Sequence, residues 1–377
     1  MVQSVKTALS TRLIFTDQPA LWRSVLPASR SVFGSVEFCS IVQDLQGQQA
    51  CLFVLAEDHG QIAYPFFLRG TNVLPYNQRQ TPGWDTRTPE YTGPVLLEPI
   101  SPRVAASFRQ SFVQLSAEIG IVAEFAHLHP WEANHDLLNQ AGLQHDRQIV
   151  YVDLTQSSEQ LWQESFNHAC RKNIRRAQHE NVRVFRAQTA ADVQEFHRIY
   201  IGTMDRNQAA GHYYFPLSYF TGLLEARPDN TLMLLAEYQG RVVAGTLYMV
   251  DGDNLYSYLG GANQEYQQVR PTNAVVYAAI EWGQAHGQQR LILGGGYQPD
   301  DGIFRFKSSF SPLRADFYTY RWVHLPDEYQ RLCQAWSTYY AAPLAEGHFF
   351  PLYRSAPPSR PANSSVGGDP SPLRYEG

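Results

Sequence analysis

Apolar and polar positions alternate with two different periods along this chain, and the two periods divide it into elements. Residues 51–55 form a short apolar run rich in β-branched and aromatic side chains, which predicts a buried strand. Asp58-His59-Gly60 is a turn signal, and residues 61–68 return as a second strand. Residues 104–119 switch to helical spacing, with Val104, Phe108, Phe112 and Leu115 on one face. Strands follow at 121–126 and 148–154. A short helix and loop precede them over 21–36, and 1–12 read as a polar, frayed lead-in. Residues 75–94 carry four prolines and two glycines and read as a long loop; loops of that length inside a compact fold more often have a role than not.

The second half repeats the sequence of periods. Residues 161–180 are predicted helical, 182–186 a strand, and 191–204 and 217–226 helices around a loop at 206–215. Runs at 232–237, 242–249 and 255–259 predict an antiparallel meander, with turns at Gly240 and Asp251-Gly252-Asp253-Asn254. A helix over 271–286 begins with Pro271, which suits a first turn. Leu291-Ile292-Leu293 is a strand that stops on Gly294-Gly295-Gly296. A strand over 315–324 and a helix over 327–341 close the fold, and the Pro-, Ser- and Gly-rich stretch from 355 onward predicts disorder. Residues 52–63 align with 232–243, each copy being strand, glycine turn, strand. With the shared order of helix, hairpin, helix and strand, this points to duplication of one α/β unit. The expected organisation is a first unit over 13–155, a second over 156–345 and a disordered tail over 355–377.

Composition changes this picture in only a few places. A chain of 377 residues accommodates two ordinary domains. The net charge of −5 excludes a global attraction to DNA or anionic membrane, so any polyanion must meet a local patch. No apolar run reaches the ~20 residues of a membrane span. Cys39, Cys51, Cys170 and Cys333 lack metal-type spacing, and the start of the chain does not read as a signal peptide. A reduced, cytoplasmic protein is expected.

Chemistry is expected at three places. The foremost is the Gly294-Gly295-Gly296 stretch followed by Phe304-Arg305-Phe306-Lys307. A strand ends, the main chain is bare, and a cation returns beside it, which suits a ligand carbonyl or phosphate that must touch backbone. The second is the basic run Arg171, Lys172, Arg175 and Arg176, whose i, i+4 neighbours repel unless an anion offsets them. It reads either as a solvated face or as a contact for phosphate or RNA backbone. The third is His127 and His129, two residues apart on a strand, with His135 nearby. No acidic residue or cysteine completes a metal set there, so histidines closing the strand end are the better reading, and no metal is expected.

Several of these stretches resemble the Fem-like branch of the GNAT acyltransferases, which includes peptidoglycan-bridge aminoacyltransferases and BioF2-like domains. The resemblance runs over about residues 30–325. It is carried by Cys170-Arg171-Lys172-Asn173-Ile174-Arg175-Arg176-Ala177 before Val182-Arg183-Val184, and by Thr272-Asn273-Ala274 opening a helix. It is carried further by Leu293-Gly294-Gly295-Gly296, by Phe304 to Phe310, and in the first half by Tyr91-Thr92-Gly93-Pro94 and His129-Pro130 with Asn134. It implies two tandem GNAT-like domains and acyl transfer to an amine, with Lys307 as the catalytic lysine. Phe306, the three glycines, Asn273, Arg171, Arg175 and Arg176 are the implied substrate contacts. Tyr256 and Tyr258 are further candidates, placed to offer hydroxyls to a cleft. The implied donor is aminoacyl-tRNA, a co-substrate rather than a cofactor. The implied acceptor is an amine on a small molecule, peptide or peptidoglycan precursor. GNAT enzymes that use acyl-CoA hold its pyrophosphate on a glycine-rich turn opening the central helix. Here Pro271 stands in that turn and donates no N–H, which favours the tRNA-linked donor. An acyl-CoA-dependent N-acyltransferase and a non-catalytic binding protein on the same fold are the alternatives.

Overall fold

A computed structural model of the protein describes residues 11–57, 60–77, 83–298, 300–344 and 349–357. The lead-in before residue 11, part of the expected turn at 58–59 and the tail from 358 onward lie outside the described residues.

The first half runs β1 (Thr11–Phe15), α1 (Pro19–Val25), α2 (Val36–Gln46), β2 (Gln49–Glu57), β3 (Gly60–Gly70), β4 (Trp84–Arg87), β5 (Val95–Leu96), α3 (Pro102–Ile119), β6 (Ile121–His127) and β7 (Leu143–Asp153). The second half runs α4 (Ser158–Gln160), α5 (His168–His179), β8 (Arg183–Arg186), α6 (Ala190–Arg206), α7 (Leu217–Ala226), β9 (Thr231–Tyr238), β10 (Arg241–Asp251), β11 (Asn254–Ala262), α8 (Pro271–Ala285), β12 (Arg290–Gly294), α9 (Gly302–Ser308), β13 (Arg314–Val323) and α10 (Pro326–Tyr340). The fold is mixed α/β, as the periods predict.

Local chemistry explains most of these boundaries. Helix α3 starts where Ser101 accepts from the Val104 N–H and ends at Gly120, whose φ of 79° a side chain would disfavour. It buries Val104, Phe108, Phe112 and Leu115, the face read from the sequence. The predicted helix over 161–180 is interrupted instead. A π-turn over Leu161–Ser165 ends at an extended Phe166, and Asn167 then caps a new helix by accepting from the Cys170 N–H. The break lets Phe166 enter the core against Phe310 and Tyr277. Among the elements that the periods do not show are α2 and β4. Helix α2 is closed by Ser35 and Gly47 at its ends, and β4 lies inside the proline-rich stretch.

All the strands join one sheet, in the order β1-β2-β3-β4-β6-β13-β7-β12-β11-β10-β9-β8, with β5 on β3. The two halves share one plan. Hairpins β2–β3 and β9–β10 are antiparallel, and β4–β6 and β11–β12 are parallel pairs crossed over by α3 and α8. The last strand of each half is exchanged. β7, from the first, pairs with β12 of the second, and β13, from the second, pairs with β6 of the first. β7 and β13 then pair with each other through the centre, from Arg314 opposite Val150 to Tyr320 opposite Leu143. One hydrophobic core accordingly crosses the molecule, joining Phe33 and Val36 to Tyr256, Ile292 and Phe317.

The site depends on a local failure of pairing. β11 and β12 are bonded only from Asn254 opposite Arg290 to Tyr256 opposite Ile292, and then they separate. Beyond Tyr256, β11 stays with β10, while β12 turns away on its glycines. Since neither half has a complete sheet without the other's strand, unfolding by denaturant should be one transition, coincident by tryptophan fluorescence and circular dichroism. Two separated transitions would show that the halves fold independently.

Candidate active site at the end of β12

Gly294 closes β12 at φ 79°, a backbone region that L side chains avoid. A Cβ on Gly294 would lie 3.3 Å from the Lys307 Nζ and 3.5 Å from the Tyr91 hydroxyl, so lysine, bend and tyrosine meet at one point. Gly295 follows, and its carbonyl accepts from the Lys307 Nζ at 2.7 Å. The Gly296 carbonyl accepts from the Arg147 Nη1 at 2.9 Å. A Cβ on Gly296 would collide with the Asp301 carboxylate. That carboxylate organises the return of the chain: it accepts from the Tyr297, Gln298 and Phe304 N–H groups and caps α9, which carries Lys307.

Lys307 is half-buried on α9. Burial lowers its pKa to about 8; Asp301 opposes that change and Arg147 adds to it. Its neighbour Phe306 faces the second half's core and packs on Phe310 at 5.5 Å.

The other wall comes from the first half. Tyr91 adopts φ 49°, an unusual conformation for a bulky residue, and its ring sits 4.8 Å from Tyr256 and 5.3 Å from Phe317. Beside it, Glu90 accepts from Arg87 at 2.8 Å and lies 3.6 Å from the His127 Nδ1. Burial alone would raise the Glu90 pKa, but His127, Arg87 and Arg147 together hold it below the ordinary carboxylate value. Burial lowers the pKa of His127, against the pull of Glu90. Glu90 also acts electrostatically on the buried hydroxyls of Tyr213, Tyr219 and Tyr258. Lys307, Arg147 and the Asp301 carboxylate thus meet at the bend, and Glu90, Arg87, His127 and several tyrosines lie on the wall beside it.

The predicted site residues fall into two groups. Lys307 and Gly294 to Gly296 converge on the bend. Tyr256 is buried, and its hydroxyl meets the His129 Nε2 at 3.0 Å; Tyr258 meets the Tyr219 hydroxyl at 2.8 Å. The basic residues of α5 have intramolecular partners. Arg171 donates to the carbonyls of Trp162, Gln163 and Phe166, Arg175 lies over the Trp162 ring at 5.2 Å, and Arg176 approaches Glu180 at 3.7 Å. Asn273, at the start of α8, is buried, and its Nδ2 has no hydrogen-bond partner among the described residues. The histidines diverge: His127 faces Glu90, His129 faces Tyr256, and His135 packs on Tyr318. Arg147 and Glu90 were not foreseen. Arg147 reaches the bend only because β7 crosses into the other half, which no local pattern reports.

Comparison with known proteins fits this geometry. Residues 164–308 match the family model described as Acetyltransferase (GNAT) domain. No curated protein matches the chain. Among solved structures, FemX superimposes with a TM-score of 0.64 at 13% identity, covering 86% of this chain and 99% of that one. A conserved protein of unknown function from Bacteroides thetaiotaomicron gives 0.53 at 11% identity, covering 85% and 99%. The C-terminal domain (DUF2156) of a putative lysylphosphatidylglycerol synthetase from Agrobacterium fabrum gives 0.51 at 13% identity, covering 80% and 91%. At these identities the likeness is one of fold. Residues 164–308 are similar to a GNAT domain, and the protein is an acyltransferase. Its fold over both halves is that of FemX, the Fem-like arrangement that the motifs imply. Among the described residues no helix is long and apolar enough to cross a membrane.

The bend itself can be tested. Gly294→Ala places a Cβ at φ 79° beside the lysine, and a left-handed alanine costs about 1–2 kcal/mol. Denaturant titration should show that loss together with reduced activity. Gly302→Ala, with no atom within 4 Å of the added Cβ, should show neither. Equal behaviour of the two variants would remove the bend from the account.

Proposed function

We propose that the protein forms an amide by passing an aminoacyl group from aminoacyl-tRNA to an amine acceptor, with the Lys307 ammonium holding the oxyanion. The observation that carries this reading is the position of the Lys307 Nζ on the Gly295 carbonyl, at the mouth opened by the separation of β11 and β12. An ammonium has three donors. One is engaged by Gly295, and two remain for a developing negative oxygen.

In the reaction the amine nitrogen bonds to the ester carbonyl carbon, and the carbonyl electron pair moves onto oxygen beside Lys307. Collapse of that intermediate restores the carbonyl and expels the ribose oxygen of the tRNA. The amine gives up a proton, which ends on the leaving oxygen. Glu90, ionised and on the Tyr91 side of the bend, is placed to carry it directly or through water. Pro271 supports the tRNA-linked donor, because it removes a phosphate-binding N–H from the first turn of α8. On α5, Lys172, Arg175 and Arg176 are exposed and offer an RNA phosphate a basic face, while Arg171 is engaged by the carbonyls of Trp162, Gln163 and Phe166. The motifs support an amine on a small molecule, peptide or peptidoglycan precursor as acceptor, and the free cysteines suit a reducing, cytoplasmic setting.

The second reading is transfer from acyl-CoA, favoured by the family model's description as an acetyltransferase domain. The two readings separate cleanly in one assay. Charged tRNAs mixed with candidate amines should be deacylated in an RNase-sensitive manner, and calorimetry with CoA should show no tight binding. RNase-insensitive turnover of acyl-CoA would replace the donor.

Lys307→Met should lower kcat by ~10²–10³-fold while leaving the fold intact. The rate of the parent should fall as pH rises through about 8, because deprotonation removes the ammonium; the variant should lack that limb. Glu90→Gln should lose the acidic limb of the pH profile, and an unchanged profile would exclude Glu90 as the proton carrier.

A further inference from the structure

A second polar cavity lies where the two halves meet, away from the bend. Its volume is about 350 Å³, and it is enclosed by the 29–31 loop, by Trp131 and Glu132, by the β10–β11 turn, and by Arg290 at the start of β12. That size falls within the range of small-molecule sites.

One wall holds an incompletely satisfied carboxylate. Asp251 is only 6% exposed. Its Oδ1 accepts from the Val32 N–H at 2.8 Å, and its Oδ2 has no hydrogen-bond partner among the described residues. Burial raises the pKa of this carboxyl to about 7; the Val32 N–H lowers it, Glu132 raises it further and Arg30 lowers it. A turn aspartate needs no such burial. The Oδ2 is not closed off with the rest of the residue and is open to the cavity, where a cation would offset the cost of ionising so buried a carboxyl. The nearby arginine does not do so. Arg30 is spent on Glu132, at 2.5 and 2.9 Å, and on the Leu96 carbonyl at 2.9 Å.

Another wall holds an open cation. The Arg290 guanidinium lies 5.2 Å over the Trp131 ring and makes one long contact, 3.4 Å, to the Asn254 Oδ1. It has no carboxylate partner among the described residues. One cavity thus presents an unpaired anion, an unpaired guanidinium and an aromatic wall.

We propose that this cavity binds a free α-amino acid, with its ammonium on Asp251 and its carboxylate on Arg290. A guanidinium suits a planar carboxylate, and a single open carboxylate oxygen suits an ammonium. The site is separate from the reacting centre. β11 and β12 are parallel; the cavity is at Asn254 and Arg290, and the bend is at Gly294, four residues further along β12. At ~3.3 Å per residue the two are roughly 13 Å apart. Tyr91 is shared: it lines the cavity, and its hydroxyl points to the bend. A bound amino acid therefore packs against the residue that forms the first-half wall of the active site.

The test uses the full chain. Thermal shift with each of the protein L-amino acids, up to ~10 mM, identifies the binder, and calorimetry measures it. At least one amino acid should bind, and both its N-acetyl derivative and its methyl ester should bind at least ~10-fold more weakly. Affinity should rise as pH rises through about 7, because the Asp251 carboxyl must be ionised to meet the ammonium; Glu132, Asp253, His129, Arg30 and Arg290 also face the cavity. Asp251→Asn keeps an acceptor for Val32 and should abolish binding, and Arg290→Gln should weaken it as esterification does. The proposal is overturned if no amino acid binds, if ethylamine binds as tightly as the zwitterion, or if both folded variants bind like the parent.

Discussion

The antiparallel pairing of β7 with β13 is the constraint from which the rest of the molecule follows. Each strand ends one half in sequence and completes the sheet of the other. Without that exchange each half would leave an unpaired edge beside β6 or β12, and the shared core around Phe33, Tyr256 and Phe317 would be cut. With it, β7 passes directly beside the glycine bend. Val150 lies opposite Gly294, and Arg147, three residues earlier, donates to the Gly296 carbonyl. The connection that makes one sheet of two halves is also what brings a first-half side chain to a second-half site.

The bend is where electrostatics and backbone geometry meet. Three glycines let the carbonyls and the lysine approach without side chains between them. The chain then returns through α9 because Asp301 satisfies three backbone N–H groups at the turn. Burial and Arg147 make the ammonium costly, and Asp301 offsets only part of that cost. A cation kept where it is disfavoured, beside a bare main chain, is poised to gain when a negative oxygen arrives. Glu90 and Tyr91 from the first half, with Tyr213 and Tyr258 from the second, give the mouth a polar lining drawn from both halves.

Much of this was legible in the sequence, and for definable reasons. The periods along 104–119, 232–259 and 271–293 reported their elements because each buries one regular face. The likeness of 52–63 to 232–243 reported the duplicated plan, since both are hairpins in equivalent places of the sheet. Lys307 and the glycines were legible as a motif. What sequence could not report was anything set by pairing over long distances. β4 looked like loop because its proline-rich surroundings mask four residues that are fixed by a parallel partner. The basic residues of α5 read either as a solvated face or as a phosphate contact, and the sequence did not report their partners within the molecule. Arg171 reaches the carbonyls of the π-turn and Arg175 lies over Trp162, contacts set by the break at Phe166. Arg147 at the bend and the Asp251 cavity depend on contacts between the halves, and Glu90 meets His127 only because the 88–92 stretch lies beside the end of β6.

The charge state of Lys307 is the most direct measure of the account. Labelling of the native enzyme with a small amine-reactive reagent across a pH series, with the modified lysine quantified by mass spectrometry, gives its titration without any substrate. The account predicts a midpoint near 8, set by burial beside the Gly295 carbonyl. A midpoint at the ordinary lysine value of 10.5, unchanged in Gly294→Ala, would mean an ammonium free in solvent and would contradict it.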